Sequence, residues 1–235
     1  MPIGVLAVQG AVREHLEALQ RLGVEPRPVR TPEEIAACEA LILPGGESTT
    51  IGKLMDRFGL LEPVRELAAS GKPLMGTCAG MILMAKKIEV ARSPAATAPG
   101  RAGMAVPRSA KADRHGGPKG LATQGLATGI EGQPSLALMD ITVERNAFGR
   151  QIESFEADLD FEGINSGPVR AVFIRAPIIK STLVPSEVEG GERVQVLAAH
   201  EGRIVAAQEG RLLALSFHPE LTADTRVHEY FLSLR

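Results

Sequence analysis

The N-terminal part of the sequence, up to about residue 90, alternates short apolar runs with amphipathic stretches, and this alternation constrains the fold more than any other feature. Apolar runs at residues 3–8 and 40–43 predict buried strands, and residues 12–22 between them carry apolar side chains at helical spacing. Residues 26–29 have low strand propensity but stand where a second, edge strand is needed. A βαβα order of this kind predicts a parallel sheet covered by helices on both faces.

The pattern changes beyond about residue 136, where short alternating runs are joined by glycine-containing turns. Six runs are predicted to be strands of antiparallel type, at residues 136–143, 153–158, 169–174, 194–200, 203–208 and 212–217. A final helix is predicted over residues 224–234, with Thr222 or Asp224 as its cap. The chain is therefore expected to have an α/β fold whose sheet is mostly parallel, with antiparallel C-terminal additions.

A sharp turn between a strand and a helix is expected at residues 74–80, LMGTCAG, with Cys78 at its tip. Glycines that flank a nucleophile let the backbone turn tightly, as they do in the G-x-S-x-G elbow. A helix over residues 81–87 would then direct its N-terminal amides at the sulfur and favour a thiolate. Because glycines also flank buried structural cysteines, this motif alone leaves both interpretations open.

A histidine followed closely by a carboxylate lies about 140 residues beyond the cysteine, at His218 and Glu220. This separation is typical of Cys-His pairs that the fold brings together. His218 would take the thiol proton and return it to a leaving amine, while Glu220 would orient the ring. We expect His15 to be structural or to face a partner, and His228 to lie on a surface helix. Neither of these histidines, nor His115 or His200, stands in a His-Pro-Glu sequence like that of residues 218–220.

Four further segments narrow the interpretation: AVQGAVREH at residues 7–15, LPGGESTT at 43–50, VERNAFGRQ at 143–151 and VFIRAP at 172–177. With Cys78, His218 and Glu220, the chain resembles the class I, triad-type glutamine amidotransferases. With the four segments, it resembles the glutaminase subunits of pyridoxal 5′-phosphate synthases. The resemblance covers nearly the whole chain except about residues 91–134 and a shorter stretch near 180–191.

This resemblance implies a three-layer, flavodoxin-like fold and a glutaminase that converts L-glutamine to L-glutamate and ammonia through a Cys78 thioester. It implies an oxyanion hole formed by the amides of Gly46 and Ala79. The glutamine-binding residues that it implies are Gly46, Glu47, Ser48, Arg145, Ile174 and Arg175. The ammonia would pass to a separate (β/α)8-barrel synthase subunit, and neither a cofactor nor a metal is expected in this chain.

The glycine turn and the arginines also have plainer interpretations. Gly45 and Gly46 would equally suit an ordinary strand-to-helix turn with Ser48 or Thr49 as the N-cap. Each arginine would equally suit an exposed position with a solvated head, and Arg150 has no other predicted role.

The charge and cysteine content exclude several classes of protein. The 26 Lys and Arg residues nearly balance 28 Asp and Glu residues, so nothing general favours binding to nucleic acid or to an anionic membrane. No apolar run approaches the roughly 18 residues of a membrane span, and a cytoplasmic location is expected. In that compartment Cys38 and Cys78 are expected to be free thiols, although they could form one disulfide. Two cysteines and scattered histidines do not form a group with the spacing typical of a structural zinc site.

Residues 91–134 are rich in Ala, Gly, Pro, Ser and Thr and predict a flexible insertion within a single domain spanning residues 1–235. A tolerated surface insertion is favoured over a basic contact with a partner. Two alternatives to the main function stay open: a glutaminase subunit of another amidotransferase, and a non-catalytic regulatory homologue.

Overall fold

A computed structural model of the chain describes residues 2–90, 133–145, 154–182 and 193–235. The insertion predicted at about residues 91–134 lies outside the described residues except for its last two, as do His115 and Arg150. The single-domain prediction with its insertion therefore stays a prediction.

The described residues form twelve strands and six α-helices. The strands are β1 Ile3–Leu6, β2 Pro26–Val29, β3 Ala40–Leu43, β4 Leu74–Thr77, β5 Ala85–Val90, β6 Met139–Arg145, β7 Ser154–Leu159, β8 Val169–Ile174, β9 Ile178–Thr182, β10 Gln195–His200, β11 Arg203–Glu209 and β12 Leu212–Leu215. The helices are α1 Val12–Arg21, α2 Pro32–Ala36, α3 Ser48–Arg57, α4 Leu61–Ala69, α5 Ala79–Met84 and α6 Arg226–Ser233. A short 3-10 helix covers Pro219–Leu221.

The main sheet has ten strands, nine of them in the order β2-β1-β3-β4-β12-β11-β9-β6-β5, while β10 also pairs with β11. The run from β2 to β12 is parallel, and β5 is parallel to β6. The pairs β12–β11, β11–β10, β11–β9 and β9–β6 are antiparallel. A separate pair, β7–β8, is antiparallel too. The predicted mostly parallel α/β sheet with antiparallel C-terminal strands is confirmed.

Both faces of the sheet are covered, as the continuous apolar runs predicted. Successive side chains of a strand point to opposite faces. Along β3, Ala40 and Ile42 belong to one buried cluster, which includes Phe217 and Phe231, whereas Leu41 and Leu43 belong to another. Each face of the central strands is therefore packed in its own apolar core.

Several local predictions were wrong. The last helix begins at Arg226, and its N-cap residue is Thr225 rather than Thr222 or Asp224. The helix expected over residues 81–87 ends at Met84, and Ala85–Val90 forms β5, in which Ala85 and Ile88 are buried while Lys86 and Lys87 are exposed. The strand β9 was not predicted, because its segment merges with a stretch of loop-like composition. The run at residues 212–217 was expected to be antiparallel; β12 is antiparallel to β11 but parallel to β4, which makes it a central strand. No described helix has the length and apolar character needed to cross a membrane.

Candidate active site

Cys78 stands at the junction between β4 and α5, where the elbow was predicted. Its backbone has φ 47° and ψ −97°, a sparsely populated combination for a residue with a Cβ, and 8% of the residue is exposed. The turn is tight because Gly80 lies against β3, where a Cβ would overlap the carbonyl oxygen of Leu43. The strand and turn therefore hold the sulfur at the start of α5.

Parallel neighbouring strands bring the other two predicted residues to the same edge of the sheet. Leu215, the last residue of β12, pairs with Thr77, the residue before Cys78, so the segment that follows β12 emerges beside the elbow. The His218 amide donates to the Val172 carbonyl at 2.8 Å, which holds this segment against β8. Sequence positions about 140 residues apart thus meet in one site.

The structure assembles Cys78, His218 and Glu220 in the predicted order. His218 Nδ1 lies 2.7 Å from Glu220 Oε1, and Cys78 is near enough to the same ring to raise the pKa of His218. Both His218 and Glu220 are buried. This is the connected arrangement of nucleophile, base and orienting carboxylate that covalent acyl transfer uses.

Burial and ion pairing act in opposite directions on the two ionisable partners. Burial acts to lower the pKa of His218, but hydrogen bonds and charge at Cys78 and Glu220 outweigh it and raise the pKa to about 10. Burial acts to raise the pKa of Glu220, but the adjacent His15 and His218 rings outweigh it and lower that pKa. His218 is therefore protonated and Glu220 ionised at neutral pH, a state suited to a cysteine thiolate nucleophile.

The turn after β3 packs directly against this triad. A Cβ on Gly45 would overlap His218 Cε1 and lie 3.4 Å from the Cys78 Cβ. The Gly45 carbonyl accepts from the Ala11 amide at 3.0 Å, and a trans peptide therefore directs the Gly46 N–H away from Ala11. The Ala79 N–H opens α5 and has no partner within that helix. These two amides are the donors that the resemblance implied for an oxyanion hole.

Glu47 caps helix α3, which corrects the prediction that Ser48 or Thr49 does so. Its carboxylate accepts from the Thr49 amide at 3.0 Å and from the Thr50 amide at 2.7 Å. The Thr50 hydroxyl contributes most to lowering the pKa of Glu47 to about 2, against the opposing effect of burial. Ser48, the first residue of α3, is buried, and its Oγ has no hydrogen-bond partner among the described residues.

Arg145 comes close to Glu47 from the end of β6, with Nη2 3.6 Å from Glu47 Oε1. Its Nη1 donates to Gln133 Oε1 at 2.9 Å, and Thr49 Oγ1 lies 3.4 Å from the same oxygen. Gln133 is buried, and its Nε2 has no partner within the described part of the chain. Gln133 was not predicted to be a site residue, because it lies at the end of the low-complexity stretch and belongs to no motif.

Ile174 and Arg175 stand at the exposed end of β8. Ile174 is 37% exposed, and Arg175 has a left-handed backbone with φ 43°. They follow Val172, whose carbonyl binds the His218 amide, by two and three residues. The structure thus places them at the end of the strand that supports His218.

Comparison with known proteins decides the family. The model of the SNO glutamine amidotransferase family matches residues 5–97 and 108–234. The chain belongs to this family. A pyridoxal 5′-phosphate synthase subunit PdxT of Herpetosiphon aurantiacus is 49% identical, with all of both chains covered. A subunit of the same name from Geobacillus kaustophilus is 46% identical over all of this chain and 94% of its own.

A solved structure agrees with the SNO family fold. The crystal structure of a glutamine amidotransferase, 42% identical in sequence, superposes with a TM-score of 0.74 and covers 100% of this chain and 98% of that one. The predicted class I glutamine amidotransferase fold is confirmed. Both cysteines of this SNO-family chain are free, as predicted.

A second buried polar cluster, which the sequence analysis missed, lies behind the triad of this SNO-family chain. His15 Nδ1 lies 3.1 Å from His228 Nε2, and His15 Nε2 lies 3.2 Å from Thr77 Oγ1 and 3.4 Å from Glu220 Oε2. His15 and His228 are both fully buried. The predictions that His15 could face a partner and that His228 lies on a surface helix are therefore wrong.

These buried rings predict a loss of stability in mild acid. Burial lowers the pKa of His228 from 6.5 to about 3, and burial also lowers the pKa of His15. Below about pH 6.5 the unfolded chain binds a proton at His228, whereas the folded chain does not. The free energy of unfolding therefore decreases as the pH is lowered. Lowering the pH from about 7 to 5 should therefore reduce the free energy of unfolding by on the order of 2 kcal/mol through His228.

Urea unfolding of the wild type and His228→Phe at several pH values tests this expectation. Between about pH 7 and pH 5, the free energy of unfolding of His228→Phe should decrease by about 2 kcal/mol less than that of the wild type. An identical pH dependence in the two proteins would show that His228 is not buried in its neutral form.

Proposed function

We propose that this chain is a glutaminase that supplies ammonia to a separate (β/α)8-barrel subunit making pyridoxal 5′-phosphate, in the cytoplasm. The observation that carries the proposal is the meeting of Cys78 with the hydrogen-bonded pair His218 and Glu220 in a chain of the SNO glutamine amidotransferase family. The two relatives described above, named as subunits of pyridoxal 5′-phosphate synthase, support the choice of acceptor.

The first half of the reaction forms a thioester. The Cys78 sulfur attacks the side-chain amide carbon of glutamine, and the carbonyl electron pair moves to the oxygen. The amides of Gly46 and Ala79 donate to this oxyanion, each contributing on the order of 3 kcal/mol to transition-state stabilisation. His218 then gives its proton to the nitrogen, the C–N bond breaks, and ammonia leaves.

The second half regenerates the thiolate. His218, now neutral, takes a proton from water, and the resulting hydroxide attacks the thioester carbon. The tetrahedral species collapses, the C–S bond breaks, and glutamate leaves. Glu220 stabilises the positive ring each time that it forms. No step requires a cofactor or a metal.

The α-carbon end of glutamine carries a carboxylate and an ammonium on one carbon, and the site offers one group for each. The guanidinium of Arg145 suits the carboxylate, while the ionised Glu47 suits the ammonium. The two groups lie 3.6 Å apart, so both charges are within reach of one α-carbon. Gly46 and Ser48 beside Glu47, with Ile174 and Arg175 at the end of β8, complete the proposed binding site.

Gln133 is expected to orient Arg145 for this task. Replacing it with Leu removes the acceptor of the Arg145 Nη1 hydrogen bond at a buried position, a loss of about 1.5 kcal/mol. The KM for glutamine should rise about tenfold with little change in kcat. Gln195→Leu, on the exposed face of β10, is the matched control and should behave as wild type. An unchanged KM in Gln133→Leu would exclude this role.

Ammonia release from L-glutamine, measured with and without a pyridoxal 5′-phosphate synthase barrel subunit, tests the proposed function. Hydrolysis that rises with this subunit and not with an unrelated amidotransferase synthase supports it. A rise with the unrelated synthase alone would instead identify a glutaminase subunit of another amidotransferase. Absence of hydrolysis under every condition would identify a non-catalytic homologue.

A further inference from the structure

His15 lies directly behind the catalytic carboxylate, on the side away from His218. Glu220 uses Oε1 for His218, whereas Oε2 makes no well-aligned hydrogen bond within the described residues. The group that faces Oε2 is Nε2 of His15, at 3.4 Å. Both side chains are fully buried, so water does not compete for this oxygen.

The positions of the nitrogens define the direction of this contact. A carboxylate can only accept, so Nε2 of His15 must carry a proton if it is to stabilise Oε2. The neutral ring then leaves Nδ1 as an acceptor, and His228 Nε2 at 3.1 Å is positioned to donate to it. The remaining nitrogen of His228, Nδ1, has no partner among the described residues. In this tautomer His228 donates to His15, and the Nε2 proton of His15 lies between the Thr77 hydroxyl and Glu220 Oε2.

His15 also connects the carboxylate to the nucleophile strand. Its Nε2 lies 3.2 Å from the hydroxyl oxygen of Thr77, which precedes Cys78. One ring on α1 thus contacts both the end of β4 and the 3-10 helix that carries Glu220. A displacement of His15 would therefore change the position of Glu220 relative to Cys78.

We propose that His15 is a positioning residue that holds Glu220, and through it the His218 ring, in the geometry for hydrolysis. The proposal rests on the glutaminase function proposed above. It requires a neutral His15, which agrees with the lowering of its pKa by burial. The other groups that act on the pair are His218 and Glu14 on His15, and Arg21 on His228.

Two substitutions of His15 distinguish a role as a hydrogen-bond donor at Nε2 from a purely structural role of the ring. In His15→Gln the amide nitrogen can take the place of Nε2 and still donate to Glu220. In His15→Asn the shorter amide reaches only the position of Nδ1, which faces His228. The two variants make a matched pair because both remove the ring and keep an amide.

Glutamine hydrolysis by the full chain with its synthase subunit is the first readout. His15→Asn should lower kcat by about 10- to 100-fold, as loss of an orienting partner typically does, with KM nearly unchanged. His15→Gln should stay within about threefold of the wild type. Equal effects of the two substitutions would overturn the proposal, because a structural ring has no preference between them.

Alkylation of Cys78 by iodoacetamide is a readout that does not depend on glutamine hydrolysis. At about pH 7, His15→Asn should slow alkylation about tenfold, because a poorly held His218 stabilises less thiolate. The fully buried Cys38 reports unfolding in the same sample.

The two readouts distinguish failure of this proposal from failure of the proposed function. A slowed alkylation of Cys78 in His15→Asn but not in His15→Gln, in a chain that does not hydrolyse glutamine, would support the role of His15 while rejecting the glutaminase. Normal hydrolysis in the wild type with unchanged alkylation in His15→Asn would reject the role of His15 alone.

Discussion

Replacing Cys78 with alanine is expected to abolish glutamine hydrolysis, with a loss of at least about 10⁴-fold in kcat. The reason is that the thioester forms on this sulfur and the described site offers no substitute nucleophile beside His218. Ammonia and glutamate release by the chain together with its synthase subunit is the measurement. A residual rate within about tenfold of the wild type would remove Cys78 from the mechanism.

The stability of the Cys78 variants separates chemistry from folding. Cys78→Ala keeps a Cβ at φ 47°, so its free energy of unfolding should stay within about 1 kcal/mol of the wild type. Cys78→Gly should be more stable than Cys78→Ala, because glycine accepts a positive φ without strain. Cys38→Ala, which changes the other free thiol, should retain activity. Loss of activity in that control would point to a general defect.

Gly45→Ala is expected to inactivate the enzyme by displacing His218 rather than by removing a reactive group. The new Cβ would overlap His218 Cε1 and lie 2.8 Å from its Nδ1, the atom that binds Glu220. A displacement near 1 Å at a catalytic base typically costs about 100-fold, so kcat should fall by at least that factor. Steady-state kinetics of glutamine hydrolysis measures the effect.

Gly4→Ala provides a control with a comparable clash far from the triad. A Cβ on Gly4 would lie 2.6 Å from the Cys38 sulfur and 3.0 Å from the Leu41 side chain. Both variants should lose about 1–3 kcal/mol of stability through overpacking, but Gly4→Ala should keep nearly full activity. Equal losses of activity in the two variants would show that Gly45 acts only through stability.

The parallel part of the fold could be predicted because it is encoded locally. The edge strand at residues 26–29 and the strand at residues 40–43 have the predicted bounds, and Thr31 caps α2 with Pro32 at its first position. The apolar runs needed burial on both faces, which a sheet between two helical layers provides. Element boundaries that depend on pairing with a distant strand were harder to predict from the sequence. The strand β5 forms because Ala85–Val90 pairs with β6, although its lysines suit a helix equally well.

The triad was accessible because each member lies in a short motif, whereas its supporting residues are defined only by three-dimensional contacts. His15 and His228 are 213 residues apart and meet only when α1 and α6 pack against the same end of the sheet. Gln133 likewise acquires its place through Arg145 and Thr49. Nothing in the local sequence of any of these residues marks a polar side chain that folding will bury.

Detection of a γ-glutamyl thioester on Cys78 tests the central claim most directly. The chain and its synthase subunit would be mixed with L-glutamine, quenched in acid during turnover, and digested for peptide mass analysis. We expect the peptide containing Cys78 to gain the mass of glutamine less ammonia, and the adduct to be absent in Cys78→Ala. Glutamate release without this adduct in the wild type, or an adduct on another residue, would exclude the proposed thioester mechanism.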